Sequence, residues 1–386
     1  MGNVNVIKRG NVYQYKFEIA SVGGKRKFIN KSGFKTKAEA IESGNLAYTE
    51  YINAGVPFKK CKMSYSDYLD YWLNNYCKTN LKYSTIQAYT TLINKYIKPK
   101  LGMYRLSTIT SVRLNIFISE LVEEYEFSRS YFKNILKVVK GSFRDACDIY
   151  GMIKYNPALT IRLPRMDIEK EEVKHLYTLE EVTKILDRFK GQDAFTCSFL
   201  TSCFTGMRTG EVFALTWEDI DLENGIINIR HNLYDKPKDS LGRWYLGTTK
   251  TISGTRQIYI GNTLIAALKN YKERQEYLKE VFGKDYKYYH LETITNDNGK
   301  VVDKRIVINK DNEEKLNLVF TNDDGSFSGT DVPKYPFKII HSELGIEKCR
   351  FYDLRGTYAT KVLNNGTKIN DVANLLGHRN VETTEN

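Results

Sequence analysis

Four short stretches in the second half of the chain carry side chains that could act on a phosphodiester. They are TGMRTGE at 205–211, TKTISGTR at 249–256, YDLR at 352–355 and LLGH at 375–378. Arg208 and Arg355 could supply permanent positive charge and forked hydrogen bonds to phosphate oxygens without a metal ion. Lys250 could deliver a proton to a departing oxygen if its surroundings lower its pKa. The combination suits phosphoryl transfer, which needs negative charge stabilised on the non-bridging oxygens and a proton for the leaving oxygen.

Each stretch alone also has an ordinary structural explanation. Arg208 could pair with Glu211, and His378 could be a histidine whose hydrogen bonds are satisfied within the fold. Lys250 is the least secure assignment, because the same region holds other cations, namely Lys236, Lys238 and Arg256. The chain has 28 tyrosines, most of which are expected to be core or interface aromatics, so no single tyrosine identifies itself as a nucleophile.

The net charge of +12 is unevenly distributed along the 386 residues. Residues 1–170 hold 28 basic and 14 acidic side chains, whereas residues 171–386 hold 30 and 32. All of the excess positive charge therefore lies in the first part of the chain. A polyanion bound by this part, nucleic acid above all, is the simplest cause. A basic surface with no binding role is the alternative.

The composition argues against several classes of protein. A hydrophobic content of 41% over 386 residues predicts two or three domains with real cores rather than a disordered chain. No apolar run approaches the roughly 18–20 residues of a membrane span, so we expect no membrane contact. The six cysteines show neither CxxC nor Cys/His ligand spacing, which disfavours a disulfide scaffold and a zinc site. We predict neither a cofactor nor a metal site.

The elements that must position these residues begin with a small basic module at 1–57. Residues 12–19 and 26–34 are rich in β-formers on either side of a Gly23-Gly24 turn, and residues 3–9 can supply a further strand. Thr36-x-x-Glu39 is a capping box that opens a helix running to about Asn53. We therefore predict a three-stranded sheet with one helix, whose basic strands suit phosphate contact.

Residues 63–165 have the pattern of four helices. Three residues each precede a run of apolar residues at helical spacing: Ser84, Thr110 and Ser128. The first of them belongs to a Ser84-x-x-Gln87 capping box. Pro99 and Gly102 are expected to end the helix that begins at Ser84. A polar face carries Lys133, Lys137 and Lys140, for which a solvated face is the slightly better interpretation. Residues 151–174 read as a linker.

Residues 174–386 read as mostly helical with some strands. The capping box Thr178-x-x-Glu181 predicts a helix start, and residues 226–229, after Asn224-Gly225, predict a strand. Residues 247–260 predict a hairpin and a strand. We expect the charged segment 281–313, with a turn at Asn298-Gly299, to be an exposed insertion.

In the four boxes, and in their order behind a basic half, the chain resembles the tyrosine recombinases, or phage-lambda-type integrases. The likeness is greatest to integrases of conjugative transposons in Gram-positive bacteria and covers essentially the whole chain. It implies a multidomain fold, mainly α with small β-sheets. Its parts are an arm-site DNA-binding module at 1–57, a helical SAM-like core-site DNA-binding domain at 63–165, and a catalytic domain at 174–386 that is truncated at its C-terminus.

The resemblance assigns a role to each residue of the boxes. Arg208 and Arg355 match the two catalytic arginines, and Glu211 matches the acidic residue that supports the first of them. Lys250 matches the hairpin lysine that protonates the departing 5′-hydroxyl. His378 matches the histidine near the end of the chain.

Tyr352 departs from the family pattern, because many members carry histidine at this catalytic position. A tyrosine can still donate a hydrogen bond to a phosphate oxygen. It is a poor general base near neutral pH, since its unperturbed pKa is about 10. The acid or base role of this position is therefore in doubt.

The expected nucleophile lies beyond the 386 residues. In the family a tyrosine follows the box-closing histidine by about nine positions and forms the covalent intermediate. Counting from His378 leads to position 387, whereas the chain ends at Asn386. We expect this chain to bind DNA without forming the phosphotyrosine bond, and the parent protein to continue with tyrosine at position 387.

The resemblance implies a site-specific recombinase that integrates and excises a mobile element by metal-free cleavage and rejoining through a 3′-phosphotyrosine. Its partners would be double-stranded DNA at core and arm sites, three further copies in a homo-tetramer on DNA, and an excisionase-type directionality factor. The place of action would be the bacterial cytoplasm, at the nucleoid when DNA is bound. Two alternatives stay open: a catalytically decayed DNA-binding or architectural regulator, and a metal-dependent nuclease or transposase, for which no acidic triad has persuasive spacing.

Overall fold

The computed structural model describes residues 4–22, 25–52, 61–165, 175–239, 242–249, 252–295, 301–309, 314–346 and 349–378. The chain forms two compact units, residues 1–171 and 172–386. Among the residues described, no helix is both long and apolar enough to cross a bilayer. Lys250 and the turns expected at Gly23-Gly24 and Asn298-Gly299 lie outside these ranges. The division into three domains at the boundaries given above stays a prediction.

The first unit opens with an antiparallel sheet of order β1-β2-β3. Its strands are β1 (Asn5–Arg9), β2 (Val12–Val22) and β3 (Lys25–Phe34), and α1 (Lys37–Ile52) follows. The predicted cap is present, since the Oγ1 of Thr36 accepts a 3.2 Å hydrogen bond from the backbone N–H of Glu39. Gly44 of α1 lies against the sheet, where a Cβ would come within 2.9 Å of Tyr15. The predicted sheet-plus-helix module is confirmed.

Residues 61–165, all of which the structure describes, form four helical rods, two of them with a π turn inside. The first rod is α2 (Tyr65–Trp72), which continues through the π turn Leu73–Cys77 into α3 (Lys78–Asn80). The second is α4 (Tyr83–Leu92), which continues through the π turn Ile93–Ile97 into α5 (Lys98–Leu101). The third and fourth are α6 (Ser111–Glu124) and α7 (Arg129–Asp148). The last two begin at the predicted caps, where Thr110 and Ser128 accept from backbone N–H groups.

Two details of the helix predicted from Ser84 were wrong. The helix begins after Lys82, and no side chain caps it. Pro99 does not end it, because it stands in the first turn of α5, after the π turn. The π turn Ile93–Ile97 lies just before this proline, so the hydrogen-bond pattern of the rod changes there and the rod continues past Pro99.

Polar contacts join α2 to α7 inside this apolar core. The hydroxyl of Tyr65 lies 2.8 Å from the Oγ of Ser142, and that of Tyr68 donates a 2.7 Å bond to the Ser142 carbonyl. The Nε1 of Trp72 donates to the buried carboxylate of Asp145 at 2.8 Å. These bonds satisfy polar groups that would otherwise be costly to bury and fix the register of the two helices.

The second unit surrounds one buried helix. Its helices are α8 (Leu179–Arg188), α9 (Asp193–Thr205), α10 (Thr209–Val212), α11 (Asn262–Phe282), α12 (Lys334–Glu343), α13 (Asp353–Asn364) and α14 (Ile369–Leu376). The predicted cap of α8 is present, with reciprocal bonds of 3.1 and 2.9 Å between Thr178 and Glu181. Most of α9 is buried, and its hydroxyl groups at Ser198, Thr201 and Thr205 donate to carbonyls of its own backbone.

Two small antiparallel sheets lie in the same unit. One has the order β4-β5-β8, from β4 (Ile220–Asp221), β5 (Ile226–Ile229) and β8 (Arg256–Tyr259). The other has the order β6-β7-β10-β9, from β6 (His231–Asp239), β7 (Gly242–Thr248), β9 (Tyr289–Thr295) and β10 (Val301–Ile308). The strand predicted at 226–229 is β5.

The charged segment 281–313 contains the hairpin β9–β10, and its described residues are mostly exposed or half-buried, with Tyr286 and Ile306 buried. β9 and β10 pair with each other, and β10 pairs with β7 through Arg305 and Tyr245. Asp303 of β10 accepts hydrogen bonds from Tyr234 and Lys236 of β6, so part of the charge of the segment is compensated within the sheet.

Candidate active site

The site begins where α9 ends, at Gly206. This residue has φ +62°, and a Cβ there would lie 2.5 Å from the ring of Tyr358 and 2.8 Å from Leu376. Only glycine therefore lets α9, α13 and α14 meet this closely. The carbonyl oxygen of Gly206 accepts a 2.8 Å bond from the Nη1 of Arg355.

Arg208 and Glu211 form the next part of the site, at the start of α10. The backbone N–H of Arg208 donates to the Oε2 of Glu211 at 3.0 Å, and its Nη1 donates to Oε1 at 2.7 Å. Glu211 is only 1% exposed. Burial acts to raise the pKa of Glu211, but the hydrogen bond and charge of Arg256, together with Arg208, lower it overall. Glu211 is therefore a carboxylate at neutral pH.

Arg355 projects from α13 and is 4% exposed. Its Nη1 and Nη2 donate to the carbonyls of Gly206 and Leu376, at 2.8 and 2.7 Å. Burial, followed by the charge of Arg208, lowers the pKa of Arg355 to about 10, so the group remains a cation at neutral pH. Both acceptors are neutral carbonyls, which leaves its positive charge available to an anion.

Three arginines converge on the C-terminal end of α14. The bonds run from the Nε of Arg256 to the carbonyl of Leu375 at 2.7 Å, from the Nη2 of Arg355 to that of Leu376 at 2.7 Å, and from the Nη2 of Arg208 to that of Gly377 at 3.3 Å. The last carbonyls of a helix have no partner within the helix and carry its negative dipole end. The helix end thus attracts the cations and holds them close together despite their mutual repulsion.

His378 follows this helix end directly. Gly377 has φ +67°, and the backbone N–H of His378 donates to the carbonyl of Ala373 at 2.9 Å. Burial, and then the charges of Arg355, Arg208 and Arg256, lower the pKa of His378 to about 4. Its imidazole is therefore neutral at pH 7 and can donate a hydrogen bond without adding positive charge.

Tyr352 stands at the N-terminus of α13, three residues before Arg355, and is 53% exposed. The neighbouring Asp353 has a structural role, because its carboxylate accepts from the backbone N–H and the guanidinium of Arg350. The structure thus brings together four residues that the sequence singled out: Arg208, Glu211, Arg355 and His378. Tyr352 lies at the exposed start of the same helix, and the predicted Lys250 lies outside the described residues.

Sequence reasoning missed the part that Arg256 plays. It treated this residue only as a rival to Lys250, whereas the Nη2 of Arg256 donates to the Oε2 of Glu211 at 2.9 Å. No spacing rule links positions 211 and 256, and the only signal was that Arg256 is a further cation at the end of the TKTISGTR box. Lys236, another rival, pairs with Asp303. Among the residues that the structure describes, no group of three or more His, Cys, Asp and Glu side chains could hold a metal ion.

A second cationic feature lies in the first unit, on α7. A groove of about 600 Å³ is lined by aromatic residues and by a row of basic ones: Trp72, Tyr76, Tyr89, Lys133, Lys137, Lys140 and Arg144. The ring of Trp72 stacks with those of Tyr76 and Tyr89, at centroid distances of 6.2 and 5.9 Å. Lys133 and Lys137 are exposed, as the solvated face expected from their spacing predicts, and the three lysines also border this concave surface.

Three family models match the chain in tandem. The model described as "Phage integrase family" matches residues 168–386, "Phage integrase, N-terminal SAM-like domain" matches 64–122, and "Arm DNA-binding domain" matches 5–43. Among curated proteins, a "Tyrosine recombinase XerC-like" protein of Caldanaerobacter subterraneus subsp. tengcongensis is 26% identical, over 99% of this chain and 93% of that protein. The "Transposase from transposon Tn916" of Enterococcus faecalis is 24% identical, over 81% of this chain and 72% of that protein.

Solved structures share the fold. The Tn1549 transposon integrase in complex with a circular intermediate DNA superposes with a TM-score of 0.63 at 18% identity, over 83% of this chain and 93% of that one. A lambda integrase tetramer bound to a Holliday junction gives a TM-score of 0.55 at 16% identity, over 97% of this chain and 94% of that one. At 16–18% sequence identity, this similarity shows a shared fold and no more.

Proposed function

The chain belongs to the phage integrase family, and from that premise we propose that it recombines DNA at specific sites to integrate and excise a conjugative transposon. The observation that carries this proposal is the meeting of Arg208, Arg355 and His378 at one helix end, beside a buried Glu211. Such a cluster offers a phosphate two permanent cations and a neutral donor. It needs no metal to stabilise negative charge on the non-bridging oxygens.

The two arginines would bind the scissile phosphate. A guanidinium carries five N–H donors, and Arg208 and Arg355 each direct two bonds from their side chains to protein acceptors. Donors therefore remain for phosphate oxygens, in a fixed orientation that costs little reorganisation when charge develops. His378 and the phenol of Tyr352 would add neutral hydrogen bonds to the same group.

The covalent step would pass through a 3′-phosphotyrosine. The phenol of the tyrosine loses its proton to solvent and its oxygen forms a bond to phosphorus while the bond to the 5′-oxygen breaks; Lys250 supplies the proton that the 5′-oxygen takes up. The nucleophile we propose is a tyrosine at position 387. The reverse reaction with the 5′-hydroxyl of another strand rejoins DNA without ATP, since the ester retains the bond energy.

DNA would be bound by both units. The groove of α7 offers lysines with aromatic rings, a combination that suits a phosphate backbone. We assign core sites to residues 63–165 with the catalytic domain, and arm sites to residues 1–57, whose β3 exposes Lys25, Arg26, Lys27 and Lys31. The DNA complexes of the Tn1549 and lambda integrases support this, and the lambda tetramer supports a working unit of four copies. An excisionase-type directionality factor and a place of action at the bacterial nucleoid belong to the same proposal.

One observation favours a second candidate, a catalytically decayed DNA-binding regulator. Tyr352 replaces the histidine of many members and is half exposed. Covalent trapping separates the two candidates. A chain extended to carry tyrosine at position 387 is incubated with a nicked suicide substrate, and a denaturant-stable protein–DNA adduct is sought, with the 386-residue chain beside it.

An adduct of the longer chain, undiminished by EDTA, would support the recombinase and exclude a metal-dependent nuclease. Site-specific DNA binding with no adduct from either chain would favour the regulator. An adduct from the 386-residue chain would place the nucleophile elsewhere than position 387.

A further inference from the structure

Arg256 is a third guanidinium of the site, and the chemistry proposed above does not use it. It begins β8, and its side chain is 7% exposed. Each of its nitrogens faces a protein acceptor: Nη2 donates to Glu211 at 2.9 Å, Nε to the carbonyl of Leu375 at 2.7 Å, and Nη1 to that of Gly254 at 2.8 Å. The group is thus directed into the protein.

Through these contacts Arg256 restrains the two places where the side chain of Arg208 is hydrogen-bonded. The first is the carboxylate of Glu211, whose Oε1 binds the Nη1 of Arg208 while its Oε2 binds Arg256. The second is the carbonyl of Gly377, which lies two residues after the carbonyl that binds Arg256. Without Arg256, the carboxylate and the helix end would each lose a restraint, and Arg208 depends on both.

The packing around Arg256 is close enough to transmit a displacement. A Cβ added at Gly377 would lie 3.0 Å from the Nη1 of Arg256 and 2.8 Å from the carbonyl of Ser253. The turn Ile252–Gly254, the side chain of Arg256 and the end of α14 therefore touch without spare volume. Movement of one requires movement of the others.

We propose that Arg256 is a positioning residue for strand cleavage, which aligns Arg208 with the scissile phosphate by holding Glu211 and the end of α14 together. It acts through these groups and does not touch the DNA. The inference rests on the proposed function, since it presumes that Arg208 stabilises the charge of the phosphate.

The test uses the chain extended by a tyrosine at position 387 and compares its cleavage of two suicide substrates, one with a normal scissile phosphate and one with an uncharged methylphosphonate. The variants are Arg256→Met, which removes the charge, and Arg256→Lys, which keeps the charge but cannot span three acceptors. Arg230→Met is the matched control, because Arg230 also binds a buried carboxylate of the same unit, that of Asp219 at 2.6 Å.

Both Arg256 variants should lose roughly 10²-fold in the rate of phosphate cleavage, the usual effect of one misplaced donor. Cleavage of the uncharged methylphosphonate depends less on a cation, so the ratio of the phosphate rate to the methylphosphonate rate should fall. DNA binding should be unchanged, and Arg230→Met should keep the ratio. A ratio unchanged by Arg256→Lys would overturn the proposal, because a loss of general stability slows both substrates alike.

A second measurement does not require cleavage. Solvent exchange of the Arg208 guanidinium protons, followed by NMR in the full chain, should accelerate in Arg256→Lys and stay unchanged in Arg230→Met. Unaltered exchange would also refute the proposal. Absence of any adduct from the otherwise unsubstituted chain extended by a tyrosine at position 387 would refute the proposed function instead, while the exchange measurement would still decide the role of Arg256.

Discussion

The guanidinium of Arg355 is joined to the carbonyl of Gly206, 149 positions away in the sequence, by a 2.8 Å hydrogen bond. It also donates to a second backbone carbonyl, that of Leu376. Arg208 and Arg256, in contrast, share the carboxylate of Glu211. The hydrogen-bond partners of Arg355 are neutral carbonyls, so they do not compensate its positive charge. Arg355 should therefore provide much of the stabilisation of a bound phosphate.

Arg355→Lys should therefore nearly abolish cleavage. A lysine keeps a charge but cannot bind two carbonyls in the plane of a fork, so the cation would lose its orientation. In the chain extended by a tyrosine at position 387, we expect a loss of roughly 10²–10³-fold in the single-turnover cleavage rate with site binding largely retained. Arg188→Lys, in an exposed pair with Glu343, is the control. Equal losses of binding and cleavage would instead indicate a structural role.

Gly206→Ala should destabilise the catalytic unit and slow cleavage together. The left-handed backbone costs an alanine about 1–2 kcal/mol, and the clash with Tyr358 adds about 1–3 kcal/mol. Gly191→Ala is a matched control, since Gly191 has φ +88° but nothing within 4 Å of an added Cβ. Thermal unfolding of both variants separates the two costs. Equal destabilisation by the two substitutions would show that the close packing at Gly206 contributes nothing.

Lys250→Ala should be inactive on normal DNA but active on a substrate with a 5′-bridging phosphorothiolate. The thiolate leaves without a proton, so a missing general acid no longer matters. Cleavage of both substrates by the chain extended with tyrosine at position 387 is measured by adduct formation, with Arg355→Ala as a control that the phosphorothiolate should not rescue. If Lys250→Ala stays inactive on the sulfur substrate, another residue is the acid.

His378 should make stability depend on pH in weakly acidic solution. Its pKa is about 4 in the fold and about 6.5 when unfolded, so the unfolded state binds more protons between these values. Its contribution is complete above pH 6.5 and is lost as the pH falls towards 4. Denaturant unfolding of His378→Gln should show a flatter pH dependence than the unsubstituted chain.

His231 provides the comparison for this measurement. Burial also lowers its pKa, although Asp219 opposes the shift, so His231→Gln should flatten the same region by a smaller amount. An unchanged profile for His378→Gln would mean that its imidazole titrates normally in the fold.

Non-specific DNA affinity should reside mainly in the first unit. A fragment of residues 1–171 should bind duplex DNA with an affinity that falls by about 0.9 log unit per log unit of salt for each phosphate contacted. The fragment 172–386, with no excess of basic residues, is the comparison. Lys137→Gln in the groove of α7 should reduce the slope by about one contact. A salt-independent affinity of the first fragment would contradict the prediction.

Local signals predicted local structure well. The caps at Thr110, Ser128 and Thr178 were correct because a hydroxyl and a backbone N–H three residues on are enough to start a helix. Ser84 failed as a cap because a serine followed three residues later by glutamine can equally lie inside the first turn of a helix, here one that begins at Tyr83. The spacing of apolar residues gave no indication of the π turns in the helical rods.

The site could be predicted as a set of residues but not as an arrangement. The boxes, read with the family resemblance, indicated Arg208, Glu211, Arg355 and His378, and the structure brings these together. Their partners are mostly backbone carbonyls, as at Gly206, and every residue has a carbonyl, so spacing contains no information about which one is used. The same reason hid Arg256, whose partners come from three separate segments.

The shared helix end also determines how the site fails. α14 has eight residues, too few to be helical alone, so it persists only while buried residues such as Val372 and Leu376 stay packed. When it detaches, all three guanidinium groups lose an acceptor in the same event. Each molecule is then either fully competent or inert, and the observed rate is the competent fraction multiplied by a constant. Mild denaturant should therefore reduce the number of active molecules and leave the speed of each remaining one unchanged.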